Sequence, residues 1–230
     1  MTDSPAKTEI KRMFSAAAKQ IRERSAMLSK LDSVGGDGDH GATMVRFMEG
    51  LEQSMDAADE KSTSAMLKDA GWSAMDAGGG ASSAILGTFV AGMGDVEIGE
   101  KLDGRSLAES FHAGLRAVQR QTKARQGDKT MMDALFPAVE ALERAALLGR
   151  TAGTAMKAAA AAAEQGAFAT RQMIARHGRA KSLGERSLGH ADPGATSVAI
   201  LFAAFSSVLE HDEAESRRQL NSIDESESYV

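Results

Sequence analysis

The chain has 230 residues, 26% charged and 43% hydrophobic, with a formal net charge of −5, which suits one large domain or two small ones and excludes wholesale disorder. The acidic balance argues against nucleic-acid binding through phosphate contacts, and the absence of cysteine removes disulfides, thiolate metal sites and cysteine nucleophiles. No run approaches the roughly 18–20 apolar residues of a membrane span, and Met1-Thr2-Asp3-Ser4-Pro5 does not read as a signal peptide, so the cytoplasm is expected.

Alanine occupies 42 positions and aromatic residues only 4%, a composition that favours helix over strand. Ile10, Met13, Phe14, Ala17, Ile21 and Leu28 share one face of a helix expected over 7–30. Met44, Phe47, Met48, Leu51 and Met55 repeat that spacing over 41–56. Weaker segments follow at 62–77 and 82–93. Leu107, Phe111, Leu115 and Val118 mark a fifth helix, and Leu135, Val139 and Leu142 a sixth. A seventh is expected over 151–176, where the alanines Ala158 to Ala163 give a thin face that lets neighbours approach closely. Val198, Leu201, Phe202, Phe205, Val208 and Leu209 form the widest stripe, that of a buried bundle helix. These eight helices make one all-α domain over 1–210, and the polar, mostly acidic segment 211–230 reads as a tail that frays or extends.

The residues with chemistry lie between the helices. In Leu31-Asp32-Ser33-Val34-Gly35-Gly36-Asp37-Gly38-Asp39-His40-Gly41, a glycine-rich turn can bring Asp32, Asp37 and Asp39 together. At 4 Å and an effective dielectric near 20, each close carboxylate pair costs about 4 kcal/mol, so a cation should offset the repulsion. Oxygen ligands suit Mg²⁺ or Ca²⁺, although an EF-hand is excluded by Thr43 and Met48 where its bidentate glutamate would stand. The plain alternative is a solvated acidic turn capping the next helix.

The glycine run Gly78-Gly79-Gly80, followed by Ala81-Ser82-Ser83, can open a helix toward an anion, or Ser82 or Ser83 can simply cap it. It is neither a Walker loop nor a dinucleotide fingerprint, since no Gly-Lys-Ser/Thr follows and no strand precedes it. Gly127-Asp128-Lys129-Thr130-Met131 is a third turn into a helix. The fourth is basic from Arg179 to Arg186 and ends at Gly189-His190-Ala191-Asp192-Pro193-Gly194, where Asp192 is placed to cap and Pro193 to start a helix. An acidic loop, a glycine loop and nearby cations together describe a metal–nucleotide site.

Taken in order, these loops resemble the signature loops of the dihydroxyacetone kinase L subunits (DhaL), over about residues 7–210. The resemblance implies an eight-helix antiparallel up-and-down α-barrel holding ADP or ATP at one rim through two Mg²⁺. It implies Asp32, Asp37 and Asp39 as metal ligands, with no protein side chain assigned as catalytic. His40, Gly41, Ala42, Thr43, Ala81 and Ser82 would meet the phosphates, and Gly127, Thr130 and Met131 the base and sugar. Arg179, Asp192, Pro193 and Gly194 would complete the pocket. Three aspartates, a triphosphate and two Mg²⁺ sum to a charge of about −3, against about −7 without metal.

Two positions depart from that pattern. Thr43 stands where the family usually has Asn, and Ser83 where it has Gly, in a loop that can require positive φ. The implied chemistry is phosphoryl transfer to a ketose held on a separate dihydroxyacetone-binding K subunit. ADP would act as a coenzyme recharged by a phosphoenolpyruvate-dependent phosphotransferase protein. Direct use of ATP on dihydroxyacetone or erythrulose and a non-catalytic metal-binding interaction module are the alternatives, and a homodimer is a candidate assembly.

Overall fold

Side-chain caps fix where several helices begin. Ser4 accepts from the Lys7 backbone N–H at 3.2 Å with Pro5 in the first turn, and Ser62 and Thr151 cap in the same way. Asp103 and Ser106 form a reciprocal capping box. The computed structural model describes residues 3–227, with side chains to Glu215 and at Arg218 in the final stretch.

Eight α-helices result: α1 Pro5–Asp32, α2 His40–Asp56, α3 Thr63–Gly78, α4 Gly80–Met93, α5 Gly104–Gln121, α6 Met132–Leu147, α7 Ala152–Ala169 and α8 Pro193–Glu227. Among the described residues there is no strand. Each helix packs on its chain neighbours, and α8 packs on α1, which closes an up-and-down ring. In such a ring the connections alternate between two ends. The α1–α2, α3–α4, α5–α6 and α7–α8 connections therefore share one rim, and the N-termini of α2, α4, α6 and α8 lie there.

The interior of the ring is filled. Phe14 meets Phe205 edge to face at 5.1 Å, and Phe111 meets Phe89 and Phe202 at 5.6 and 5.5 Å. Each such pair adds about 0.5–1.5 kcal/mol beyond its buried area. Ala155, Ala159, Ala163 and Ala167 form the thin buried stripe of α7 that faces α6 and α8. Gly41 lies so close to α1 that a Cβ there would run into the Ser25 carbonyl oxygen.

Three expectations need correction. The seventh α-helix stops at Ala169 rather than 176, because the chain tightens into a 3-10 turn at Thr170–Gln172. A second 3-10 segment, Arg179–Ser187, lies in what reads from sequence as a loop. The segment after position 210 continues α8 to Glu227 instead of leaving it. Two contacts explain its start: Arg12 pairs with Asp212 at 2.8 Å, and Glu213 accepts from the Gly153 N–H at 2.6 Å, at the positive end of α7. Residues 228–230 lie outside the described residues. By length and composition, Pro193–Glu215 does reach the size of a membrane span, but 61% of its most apolar 18-residue window is buried within this protein.

Candidate functional site

The loop between α1 and α2 folds back on Asp32. The N–H groups of Gly35 and Gly36 donate to its carbonyl oxygen at 3.1 and 2.6 Å, and Gly38, at φ +78°, donates to its carboxylate at 2.9 Å. That geometry brings one carboxylate oxygen each from Asp32, Asp37 and Asp39 within 4.8 Å of one another. Asp39 precedes α2 but makes no side-chain cap, so the capping alternative does not account for it. The all-oxygen donor set is that of a hard divalent cation. The Arg179 guanidinium pairs with Asp37. Desolvation raises the Asp37 carboxyl, yet its own backbone N–H, the Asp39 side chain and Arg179 hold it below the usual range.

His40 begins α2 and is buried. Its Nε2 lies 2.8 Å from Ser197 Oγ on α8, and its Nδ1 lies 3.5 Å from Ser82 Oγ on α4. Burial lowers its pKa, against the charge of Asp32, the Pro193 backbone and the charge of Asp39. A neutral, doubly tethered imidazole fixes three helix N-termini relative to one another.

The glycine loop takes its unusual backbone at Gly79 and Gly80, with φ of +71° and +72°. Neither Ser82 nor Ser83 caps α4, whose N-cap is Gly79. Ser83 sits in ordinary helix rather than in the positive-φ region, because the two preceding glycines supply the turn. Its hydroxyl is fully buried and has no hydrogen-bond partner.

The Asp133 carboxylate organises the third turn by accepting from the N–H groups of Gly127 at 2.5 Å and Thr130 at 2.7 Å. Burial raises the Asp133 pKa, against those backbone bonds. Lys129 is the one non-glycine residue at positive φ among those described, at +58°, and its buried ammonium donates to the carbonyls of Thr170 at 2.6 Å and His190 at 2.5 Å. In the fourth turn Asp192 caps α8, accepting from the Ala195 N–H at 2.7 Å, with Pro193 in the first turn as expected. Burial pushes its carboxyl up to about 7, against the Ala195 N–H.

These four turns enclose one pocket of about 750 Å³. Of the expected residues, Asp32, Asp39, His40, Thr43, Ala81 and Ser82 border it. So do Thr130, Met131, Arg179, Asp192, Pro193 and Gly194. Four expected residues do not line it. Asp37 stands at the rim with the other carboxylates, and Ala42 points to solvent. Gly41 is buried against α1 with its N–H directed to Ser29 Oγ at 3.2 Å, and the Gly127 N–H is taken by Asp133. Arg46, Lys129 and His177 also border the pocket, and sequence reasoning gave them no role. Arg46 was findable, since it lies one turn after Thr43 on the same helix face.

Residues 34–207 match the family model for the DAK2 domain. The chain belongs to the DAK2 domain family. It is 36% identical over 196 residues to the "PEP-dependent dihydroxyacetone kinase, ADP-binding subunit DhaL" of Escherichia coli (strain K12), covering 85% of this chain and 93% of that one. It is 34% identical to a corresponding ADP-binding subunit of Listeria innocua, covering 81% of this chain and 88% of the relative. The L-erythrulose kinase of Pectobacterium atrosepticum is 36% identical, but this DAK2 chain spans only 34% of it. The fold is that of the dihydroxyacetone kinase from C. freundii solved with AMP-PNP and Mg²⁺, at a TM-score of 0.70 and 23% identity, over 90% of this chain and 35% of that one.

Proposed function

We propose that this DAK2 chain is the ADP-binding subunit of a dihydroxyacetone kinase driven by phosphoenolpyruvate. The observation that carries the reading is one pocket bordered both by Asp32 and Asp39 of a three-carboxylate cluster and by a glycine turn whose N–H groups carry no side-chain cap. The relatives of nearly equal length, named above as ADP-binding subunits, support it. The cytoplasm is the compartment in which this reading puts the protein.

Asp32, Asp37 and Asp39 would hold Mg²⁺, two ions as the DhaL resemblance implies, whose chemistry is to neutralise phosphate charge and orient the terminal group for in-line transfer. The N–H groups of the first turn of α4 would receive phosphate oxygens, helped by the helix dipole. Neutral His40 orients Ser82 and the α2 terminus rather than carrying phosphate itself. Thr130 and Met131 border the pocket where base and sugar would lie, and Arg179, at the start of the 3-10 segment, pairs with Asp37 of the carboxylate cluster.

The ketose would be held by a separate dihydroxyacetone-binding K subunit, and the nucleotide recharged by a phosphotransferase protein. The test combines the chain with Mg²⁺, ADP, a dihydroxyacetone-binding K subunit and the phosphoenolpyruvate phosphotransferase proteins, omitting one component at a time. Dihydroxyacetone phosphate should form only in the full mixture. Brisk turnover by this chain alone with MgATP, or product formation without it, contradicts the proposal.

A further inference from the structure

Arg46 is the pocket arginine without an acidic partner. It lies on α2 one turn after Thr43, and a single terminal nitrogen, Nη2, donates to Thr43 Oγ1 at 3.1 Å and to the Gly78 carbonyl at 3.3 Å. Gly78 ends α3, so its carbonyl is one of those left without a helical partner, and the bond to Arg46 satisfies it. The guanidinium therefore spans the gap between the first turns of α2, which follow the carboxylate cluster, and the glycine turn.

Several other cations near this rim are differently placed. Arg179 pairs with Asp37, Arg176 and His177 face Asp128, and Lys129 is held by two backbone carbonyls. No carboxylate lies within ion-pair distance of Arg46 among the described residues, although acidic residues outnumber basic ones 32 to 27 in the chain. A guanidinium carries five N–H donors, and the two protein bonds use one nitrogen, which leaves Nε and Nη1 for a ligand. Its planar fork matches a phosphate better than an ammonium does.

We propose that Arg46 is a phosphate ligand of this site, tethered by Thr43 and Gly78 so that its remaining donors meet the terminal phosphates of a bound nucleoside di- or triphosphate. The proposal rests on the nucleotide-binding reading above and adds a residue to it. It also gives Thr43 a task. The hydroxyl at that position holds the arginine, where the usual asparagine of the DhaL pattern would reach outward itself.

The test is calorimetric titration of the full chain, Arg46→Ala and Arg46→Lys with ADP and with AMP, each with Mg²⁺, alongside melting temperatures. Arg46→Ala should weaken ADP binding about 10- to 100-fold and leave AMP within about 2-fold, with a melting temperature only slightly lowered by loss of the part-buried Thr43 and Gly78 bonds. Arg46→Lys should recover part of the loss, since it restores charge but not the fork. Unchanged ADP affinity in Arg46→Ala overturns the proposal. So does an equal loss for ADP and AMP with a lowered melting temperature, which would make Arg46 a structural tether. A wild-type chain that binds neither nucleotide would instead defeat the nucleotide reading on which the proposal stands.

Discussion

The ammonium of Lys129 donates to the carbonyl oxygen of Thr170 across 2.6 Å, which ties the turn before α6 to the end of α7. A second bond, to the His190 carbonyl, reaches the turn before α8, so one side chain joins three pieces of the rim. Burial lowers the Lys129 pKa, and the charges of Asp192 and Asp133 act against that shift. Replacing it with Met leaves two carbonyls unpartnered and the positive-φ backbone unsupported. Lys129→Met should lose about 2–4 kcal/mol in urea unfolding. Unfolding at the wild-type midpoint would show the clamp to be dispensable.

The carboxylate cluster predicts a split between folding and binding. Asp39 is exposed and makes no side-chain cap, so Asp39→Asn should fold with an unchanged melting temperature in the absence of Mg²⁺. The same variant should need at least about 100-fold more Mg²⁺ to support ADP binding. Calorimetry over a Mg²⁺ series decides this, and an unaltered Mg²⁺ requirement would remove Asp39 from the ligand set.

At the α1–α8 contact, burial and then the charge of Asp212 push the Glu9 carboxyl up to about 7 from 4.5, with Arg12 opposing and Glu213 adding to the rise. The folded chain thus holds the Glu9 proton more tightly than the unfolded chain. This contribution is complete below pH 4.5 and disappears as pH rises through about 7. Glu9 is only half buried, so the effect is modest: Glu9→Gln should raise the melting temperature by about 2 °C at pH 8 and barely change it at pH 5. Equal shifts at both pH values would contradict the assignment.

Gly41 is where α2 crosses α1 with no room for a side chain, since an added Cβ meets the Ser25 carbonyl and Ser29 Oγ. Gly41→Ala should destabilise the chain by about 1–3 kcal/mol through this backbone overlap. Thermal unfolding checks it, and wild-type stability would mean that α1 and α2 separate easily.

The helical ring was legible because its cause is periodic. Met44, Phe47, Met48, Leu51 and Met55 announce α2 by spacing alone, and all five are buried in the core. The Asp32, Asp37 and Asp39 turn was legible because glycines and carboxylates alternate where no helix can continue. What spacing does not carry is the partner across the ring. Lys129 reads as an ordinary turn lysine until Thr170 and His190 arrive from 41 and 61 residues away. The continuation of α8 past residue 210 depends likewise on Arg12 and Gly153, which no local window contains. The 3-10 segment Arg179–Ser187 hides because its two serines and Gly184, which breaks the helical backbone at φ +55°, spell loop.

If the rim binds a nucleotide through Asp-held divalent cations, ADP binding depends on Mg²⁺. The decisive experiment titrates ADP into the purified chain with millimolar Mg²⁺, and again with excess chelator. About one ADP per chain should bind with Mg²⁺, with an affinity at least about 100-fold weaker without it. Equal binding in both conditions, or no binding in either, would contradict this mode of binding.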